Sequence, residues 1–151
     1  MHTITTKDGT RIFYKDWGSK NAQPIMFHHG WPLSSDDWDA QMLFFVQKGY
    51  RVIAHDRRGF GRSDQPWGGY DYDSFSDDVA AVLEDAGIGQ PIALAGFSMG
   101  GGEVARYMSK YGGAGIAQAG LIASIVPYKL KTPDNPHGTE ETLLVETLAA
   151  I

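Results

Sequence analysis

Residues Ile92-Ala-Leu-Ala-Gly-Phe-Ser-Met-Gly-Gly-Gly102 decide how this chain is to be read. A run of apolar and small residues ends in Gly96-Phe97-Ser98-Met99-Gly100, a G-x-S-x-G sequence, and an amphipathic segment, Glu103 to Tyr111, follows at once. Strand, sharp turn and helix in that order is the setting in which this motif presents a serine nucleophile. The turn forces a strained backbone at the serine. Glycines two positions to either side avoid β-carbons that would collide with the adjoining strand and helix. Ser98 is therefore expected at the tip of a sheet, with the Met99 N–H and the helix N-terminus facing any developing oxyanion.

Upstream of this stretch the same alternation of strand and helix repeats. Thr3 to Asp16 reads as a β-hairpin, because Ile4 and Thr6, then Ile12 and Tyr14, alternate around the turn signal Asp8-Gly9. Pro24-Ile-Met-Phe-His28 and Arg51-Val-Ile-Ala-His55 are short strands, the first with the continuous apolar run of a strand buried on both faces. Between them, Ser35 is expected to cap a helix whose stripe is Trp38, Met42, Phe45 and Val46, ended by Gly49. Ser74 with Asp77 resembles a capping box ahead of Phe75, Val79, Val82, Leu83 and Ala86, a helical stripe that stops at Gly87. A further strand is expected over about Ala119 to Val126. This order predicts an α/β fold, a parallel sheet with helices on its faces, in one domain spanning 1–151.

The end of the sequence is unusual. Pro127 to Gly138 reads as a loop, and Thr139 is expected to cap a helix over 139–151 with the stripe Leu144, Leu148 and Ile151. The sequence stops on that apolar face with no terminating glycine, basic last turn or polar tail, and is read as a truncation.

Composition narrows the function. The 151 residues suffice for one core; 42% hydrophobic and 21% charged residues are those of an ordinary globular protein. A net charge of −5 argues against nucleic acid or an anionic membrane as partner. No apolar run approaches the ~20 residues that span a bilayer and no signal sequence opens the chain, so a cytoplasmic location is expected. With no cysteine, disulfides, thiolate metal sites and cysteine catalysis are excluded.

Acyl transfer by a serine needs a nucleophile, a base with an orienting acid, and oxyanion donors. Ser98 supplies the first and Met99 N–H one donor. The loop His29-Gly30-Trp31-Pro32 follows the third strand, so the Trp31 N–H is the second candidate donor; Pro32 has no N–H and only stiffens the loop. Trp31 and Phe97 are the aromatics close enough to the nucleophile to line a pocket. The base is harder to place. His137 is the only histidine after Ser98, and Asp134, three residues before it, is poorly placed to form a relay with it. His28, His29 and His55 read as hydrogen-bonded structural residues. Gly100-x-Gly102-x-x-Ala105 formally matches a dinucleotide fingerprint but begins inside the helix, so close packing is the better account. Asp56-Arg57-Arg58-Gly59 with Asp64 reads as a salt-bridged loop rather than a metal or phosphate site.

Three stretches, Phe27-His-His-Gly-Trp-Pro-Leu33, Tyr50-Arg-Val-Ile-Ala-His-Asp-Arg-Arg-Gly-Phe-Gly-Arg-Ser63 and Gly96-Phe-Ser-Met-Gly-Gly-Gly-Glu-Val-Ala-Arg106, resemble the α/β-hydrolases called cofactor-free, or non-haem, haloperoxidases and their aryl-esterase relatives. The likeness continues through Ala119–Ser124 and Lys131–Pro136. It implies Ser98 as nucleophile, the Trp31 and Met99 amides as oxyanion hole, and neither haem nor metal. It further implies an ester or short carboxylic acid as substrate, with water or hydrogen peroxide attacking the acyl-enzyme; proline at position 32 favours the haloperoxidase branch. In that family the acid and histidine lie in a C-terminal part beyond the cap, and this chain looks like the N-terminal half. Two expectations follow. One is a serine hydrolase and perhydrolase active when the whole fold is assembled, through a complementary half or another copy. The alternative is a non-catalytic interaction module that pairs through an open edge strand.

Overall fold

The computed structural model describes residues 2–126 and 128–143. They form a six-stranded sheet in the order β1-β2-β4-β3-β5-β6, built from β1 (His2–Thr5), β2 (Arg11–Trp17), β3 (Pro24–His28), β4 (Arg51–His55), β5 (Ile92–Phe97) and β6 (Ile116–Ile122). The hairpin forms as expected, with Ile4 opposite Ile12 and Gly9 at φ +89, where only glycine sits without strain. β2 runs antiparallel to β4, and β4, β3, β5 and β6 are mutually parallel.

Helices α1 (Asp39–Gln47), α2 (Tyr72–Asp85) and α3 (Met99–Tyr111) cover the sheet from two sides. Because side chains alternate along a strand, neighbouring residues feed different cores. Met26, Ile53, Ile92 and Leu94 pack with Val79, Val82 and Val104 of α2 and α3; Ile25, Phe27, Val52 and Ala54 pack with Trp38 and Met42 at α1. The stripe Phe75, Val79, Val82, Leu83, Ala86 is buried as its spacing predicts, and β3 and β4 are buried along their whole length.

Several boundaries differ from the sequence reading. Ser34, not Ser35, is the cap of the first helical segment, a 3-10 turn over Ser35–Trp38 that leads into α1; Ser34 and Asp37 form the reciprocal box, while Ser35 is buried on Asp56. Asp71, not Ser74, caps α2, accepting the Ser74 N–H at 2.9 Å. In both cases the polar residue that stays extended takes the cap, and neighbouring candidates are drawn into the helix. α3 begins at Met99 rather than Glu103. The last strand starts at Ile116 and ends at Ile122, earlier than expected, because its register follows β5. The loop after it closes on itself through bridges Leu130–Thr139 and Thr132–Asn135, so Thr139 pairs with a strand-like residue and helical backbone starts at 141. Leu144, Leu148 and Ile151, the expected cap-helix stripe, lie outside the described residues. β6 is the sheet edge and almost entirely exposed.

Candidate active site

The connection from β3 leads to β4 on one side, whereas the connection out of β4 skips back over β3 to reach β5. The loops leaving the carboxyl ends of β3 and β5 therefore diverge, opening the crevice in which doubly wound sheets bind ligands. His29–Pro32 leaves β3 at that point and Ser98 leaves β5.

Ser98 has φ 52° and ψ −115°, a conformation that L residues rarely adopt and that marks a strained turn. It is held from both sides: its N–H donates to Ile122 O at 3.0 Å, and its carbonyl accepts from Gly101 at 3.0 Å and Ile125 at 3.3 Å. Glycines make the turn possible. A β-carbon on Gly96 would overlap the Gly100 carbonyl, and one on Gly100 would overlap the His28 carbonyl oxygen. Gly100, Gly101 and Gly102 thus serve close packing, as the sequence reading preferred over a dinucleotide site.

The β3 loop lies directly against the serine. A β-carbon on Gly30 would stand 3.0 Å from Phe97 Cδ1 and 3.2 Å from Ser98 Cβ. Met99 opens α3, so its N–H has no intrahelical acceptor. Among the described residues the Trp31 N–H also donates to no protein acceptor. Ser98, Met99 and Phe97 are half-buried, and the Trp31 side chain is 46% exposed. The structure thus brings together Ser98, Met99, Phe97 and the Trp31 loop; His137 is an exposed loop residue.

Behind the crevice lies a fully buried polar cluster. Glu103 of α3 receives Arg57 Nη2 at 2.9 Å and Nε at 3.2 Å, His28 Nδ1–H at 2.9 Å and His55 Nε2–H at 3.2 Å. Burial would raise the Glu103 carboxyl, but the Arg57 charge and the histidine contacts outweigh it and hold it well below the usual carboxylate range. His28 is pushed down by burial, against the pull of Glu103. His29 is pushed down to about 3, by burial first and the Arg57 charge second. All three histidines are fully buried and hydrogen-bonded, His28 and His55 to Glu103 and His29 to Gly30 O and the Arg57 N–H. Glu103 was not legible as part of the cluster; the available signal was an acidic residue on the apolar face of a helix, which only a buried partner tolerates.

His28, His55 and Glu103 place ligand-type atoms within 4.8 Å of one another. The donor set does not fit a cation, because the carboxylate is already matched by a buried guanidinium that would repel one. The loop Asp56–Asp64 is salt-bridged throughout: Asp56 to Arg62, Arg58 to Asp78 and Asp8, and Asp64 to Arg11. Among the described residues no helix is long and apolar enough to cross a membrane.

A sequence model described as the alpha/beta hydrolase fold matches residues 23–145. The chain is 58% identical over 138 residues to the bifunctional esterase/perhydrolase of Acinetobacter calcoaceticus, covering 91% of this chain and 50% of that protein. It is 52% identical over 151 residues to a non-heme chloroperoxidase of Streptomyces lividans, covering 100% of this chain and 54% of that one. Among solved structures, an esterase from Exiguobacterium antarcticum superposes with a TM-score of 0.92 at 31% identity, over 98% of this chain and 54% of that chain. A bromoperoxidase from Bacillus anthracis gives 0.87 at 41% identity, over 99% and 54%. The chain spans about half the length of the relatives it matches. With the strained serine turn, the crevice and these matches in hand, the chain belongs to the α/β-hydrolase fold family.

Proposed function

We propose that this chain carries the nucleophile and the oxyanion hole of a serine acyl-transfer site acting on small esters or short carboxylic acids. The observation that carries the reading is the strained Ser98 between β5 and α3, packed against Gly30 at the switch-point crevice. Ser98 Oγ attacks the acyl carbonyl as its proton passes to the general base, the tetrahedral oxyanion is held by the Trp31 and Met99 N–H groups, and the leaving oxygen takes that proton and departs as alcohol or water. Water then yields the acid and regenerates Ser98; hydrogen peroxide in its place yields a peracid, which oxidises halide in solution. The names of the esterase/perhydrolase and chloroperoxidase relatives support both outcomes. No metal or haem takes part in this scheme. His28, His29 and His55 are committed to buried hydrogen bonds, so we assign the base and its orienting acid to the length of the relatives that this chain does not span.

The test is acylation of the chain by p-nitrophenyl acetate, located by peptide mass spectrometry. An oxyanion hole without its base retains about 10³–10⁴-fold over water, so slow acetylation of Ser98 is expected, and Ser98→Ala abolishes it. Acetyl groups on other residues alone, or an unchanged rate in Ser98→Ala, sink the reading. A second reading, an interaction module, is favoured by the exposed β6 edge, where Leu121 and Ile122 are 49% and 45% exposed. A strictly monomeric native mass spectrum at high concentration removes it.

A further inference from the structure

The peptide group between Gly30 and Trp31 has two ends. One is the Trp31 N–H, the proposed oxyanion donor; the other is the Gly30 carbonyl. In a trans peptide they point in opposite directions from one plane, and this peptide is trans, the cis bond in the loop being Trp31–Pro32. Whatever fixes the Gly30 oxygen therefore aims the Trp31 N–H.

Two donors fix it. His29 Nδ1 lies 2.8 Å from Gly30 O, and the Leu33 N–H donates to the same oxygen at 3.0 Å. The other ring nitrogen, His29 Nε2, accepts the backbone N–H of Arg57 at 2.9 Å. A nitrogen that accepts carries no proton, so in a neutral ring the proton sits on Nδ1, where the Gly30 oxygen needs it. The preceding carbonyl, His29 O, is held at 2.8 Å by Arg57 Nη2, and Arg57 is in turn forked onto Glu103. His29 has no exposed surface and is kept neutral by burial beside Arg57.

We propose that His29 is a positioning residue: locked as the Nδ1–H tautomer by the Arg57 backbone, it orients the Gly30–Trp31 peptide so that the Trp31 N–H faces the crevice at Ser98. The inference rests on the reading of Trp31 as oxyanion donor, but its structural half is measurable without any substrate.

The first measurement is a long-range ¹H–¹⁵N spectrum of the histidine side chains in the 151-residue protein at neutral pH. His29 is expected to show a protonated Nδ1 and a bare Nε2; an Nε2–H tautomer or a doubly protonated ring overturns the proposal. The second compares His29→Asn, whose amide nitrogen overlies Nδ1 and keeps the donor, with His29→Gln, which keeps only an acceptor for Arg57. The Trp31 amide signal should move in the glutamine variant and return close to its original position in the asparagine variant. A Trp31 signal unmoved in folded His29→Gln overturns the clamp. Should the glutamine variant fail to fold, the tautomer of the unsubstituted protein still decides. Acetylation of Ser98 adds the functional arm: His29→Gln should slow it about 10²-fold, and His29→Asn should restore most of the rate. An intact clamp with no effect on Ser98 acetylation refutes the positioning role while leaving the nucleophile standing; a lost Ser98 reaction with an intact clamp refutes the acyl-transfer reading instead.

Discussion

The two sides of β5 are finished differently. Toward α2 and α3, Ile92 and Leu94 are each only 1% exposed and belong to a core that runs from the hairpin through Val104, with the Glu103–Arg57 cluster closing its crevice end. Toward α1, the alternate residues Ala93, Ala95 and Phe97 are only half-buried, because α1 stands over β3 and β4 and leaves β5 and β6 thinly covered. One side is a completed core with a buried ionic keystone. The other is a sheet face with small side chains beside an exposed edge. The contrast teaches that the Ser98 turn is supported from one side: Ser98 takes its rigidity from the α3 side and from the backbone of β6 and the residues just after it, not from the α1 face.

Removing the keystone tests that contrast most severely. Arg57→Met leaves the fully buried Glu103 carboxylate without its guanidinium and should cost about 3–5 kcal/mol, read by urea denaturation. A loss under ~1 kcal/mol breaks the description of this side as the stabilising one. Next in size is a pair of truncations. Leu94→Ala should cost about 3 kcal/mol, and Phe45→Ala on the half-exposed α1 side clearly less. Equal losses would mean the two faces are equally well packed.

Acid should act on the same buried side. The folded His29 takes up a proton only near pH 3, whereas in the unfolded chain it does so below about pH 6.5, its ordinary value. Over that window the unfolded state binds more protons, so stability rises with pH. The contribution is complete above about pH 6.5 and falls away as pH drops toward 3, about 2 kcal/mol being gone at pH 5. His28, also depressed, adds in the same direction. Denaturation midpoints between pH 7 and 4.5 measure this slope, and His29→Asn should flatten it. The smallest stability effect belongs to the edge: Leu121→Lys should change stability by under ~0.5 kcal/mol while weakening any self-association at high concentration, read by analytical ultracentrifugation.

Much of this was readable from residue order. Period-2 and period-3.6 patterns with nearby turn residues are local signals, and they placed the hairpin, β3, β4 and the α2 stripe. G-x-S-x-G placed Ser98, because the turn's glycine at position 96 is demanded by Gly100 a few positions on, although Gly100 itself is demanded by the distant His28 carbonyl of β3. Caps were missed by one to three residues, since several adjacent Ser and Asp residues compete and packing chooses among them. The β6 limits were missed because the register with β5, not side-chain pattern, sets an exposed edge strand.

By itself, then, the sequence determined the class of the fold, the strained serine and the candidate donors at Trp31 and Met99. Only the tertiary structure decided what stands behind them. Glu103 meets Arg57, His55 and His28 across 46, 48 and 75 positions, and those encounters exist because the sheet order sets the ends of β3 and β4 beside the first turns of α3. The proton on His29 is likewise a tertiary fact: an imidazole has no preferred direction in a sequence, and the Arg57 N–H that selects its tautomer lies 28 residues away.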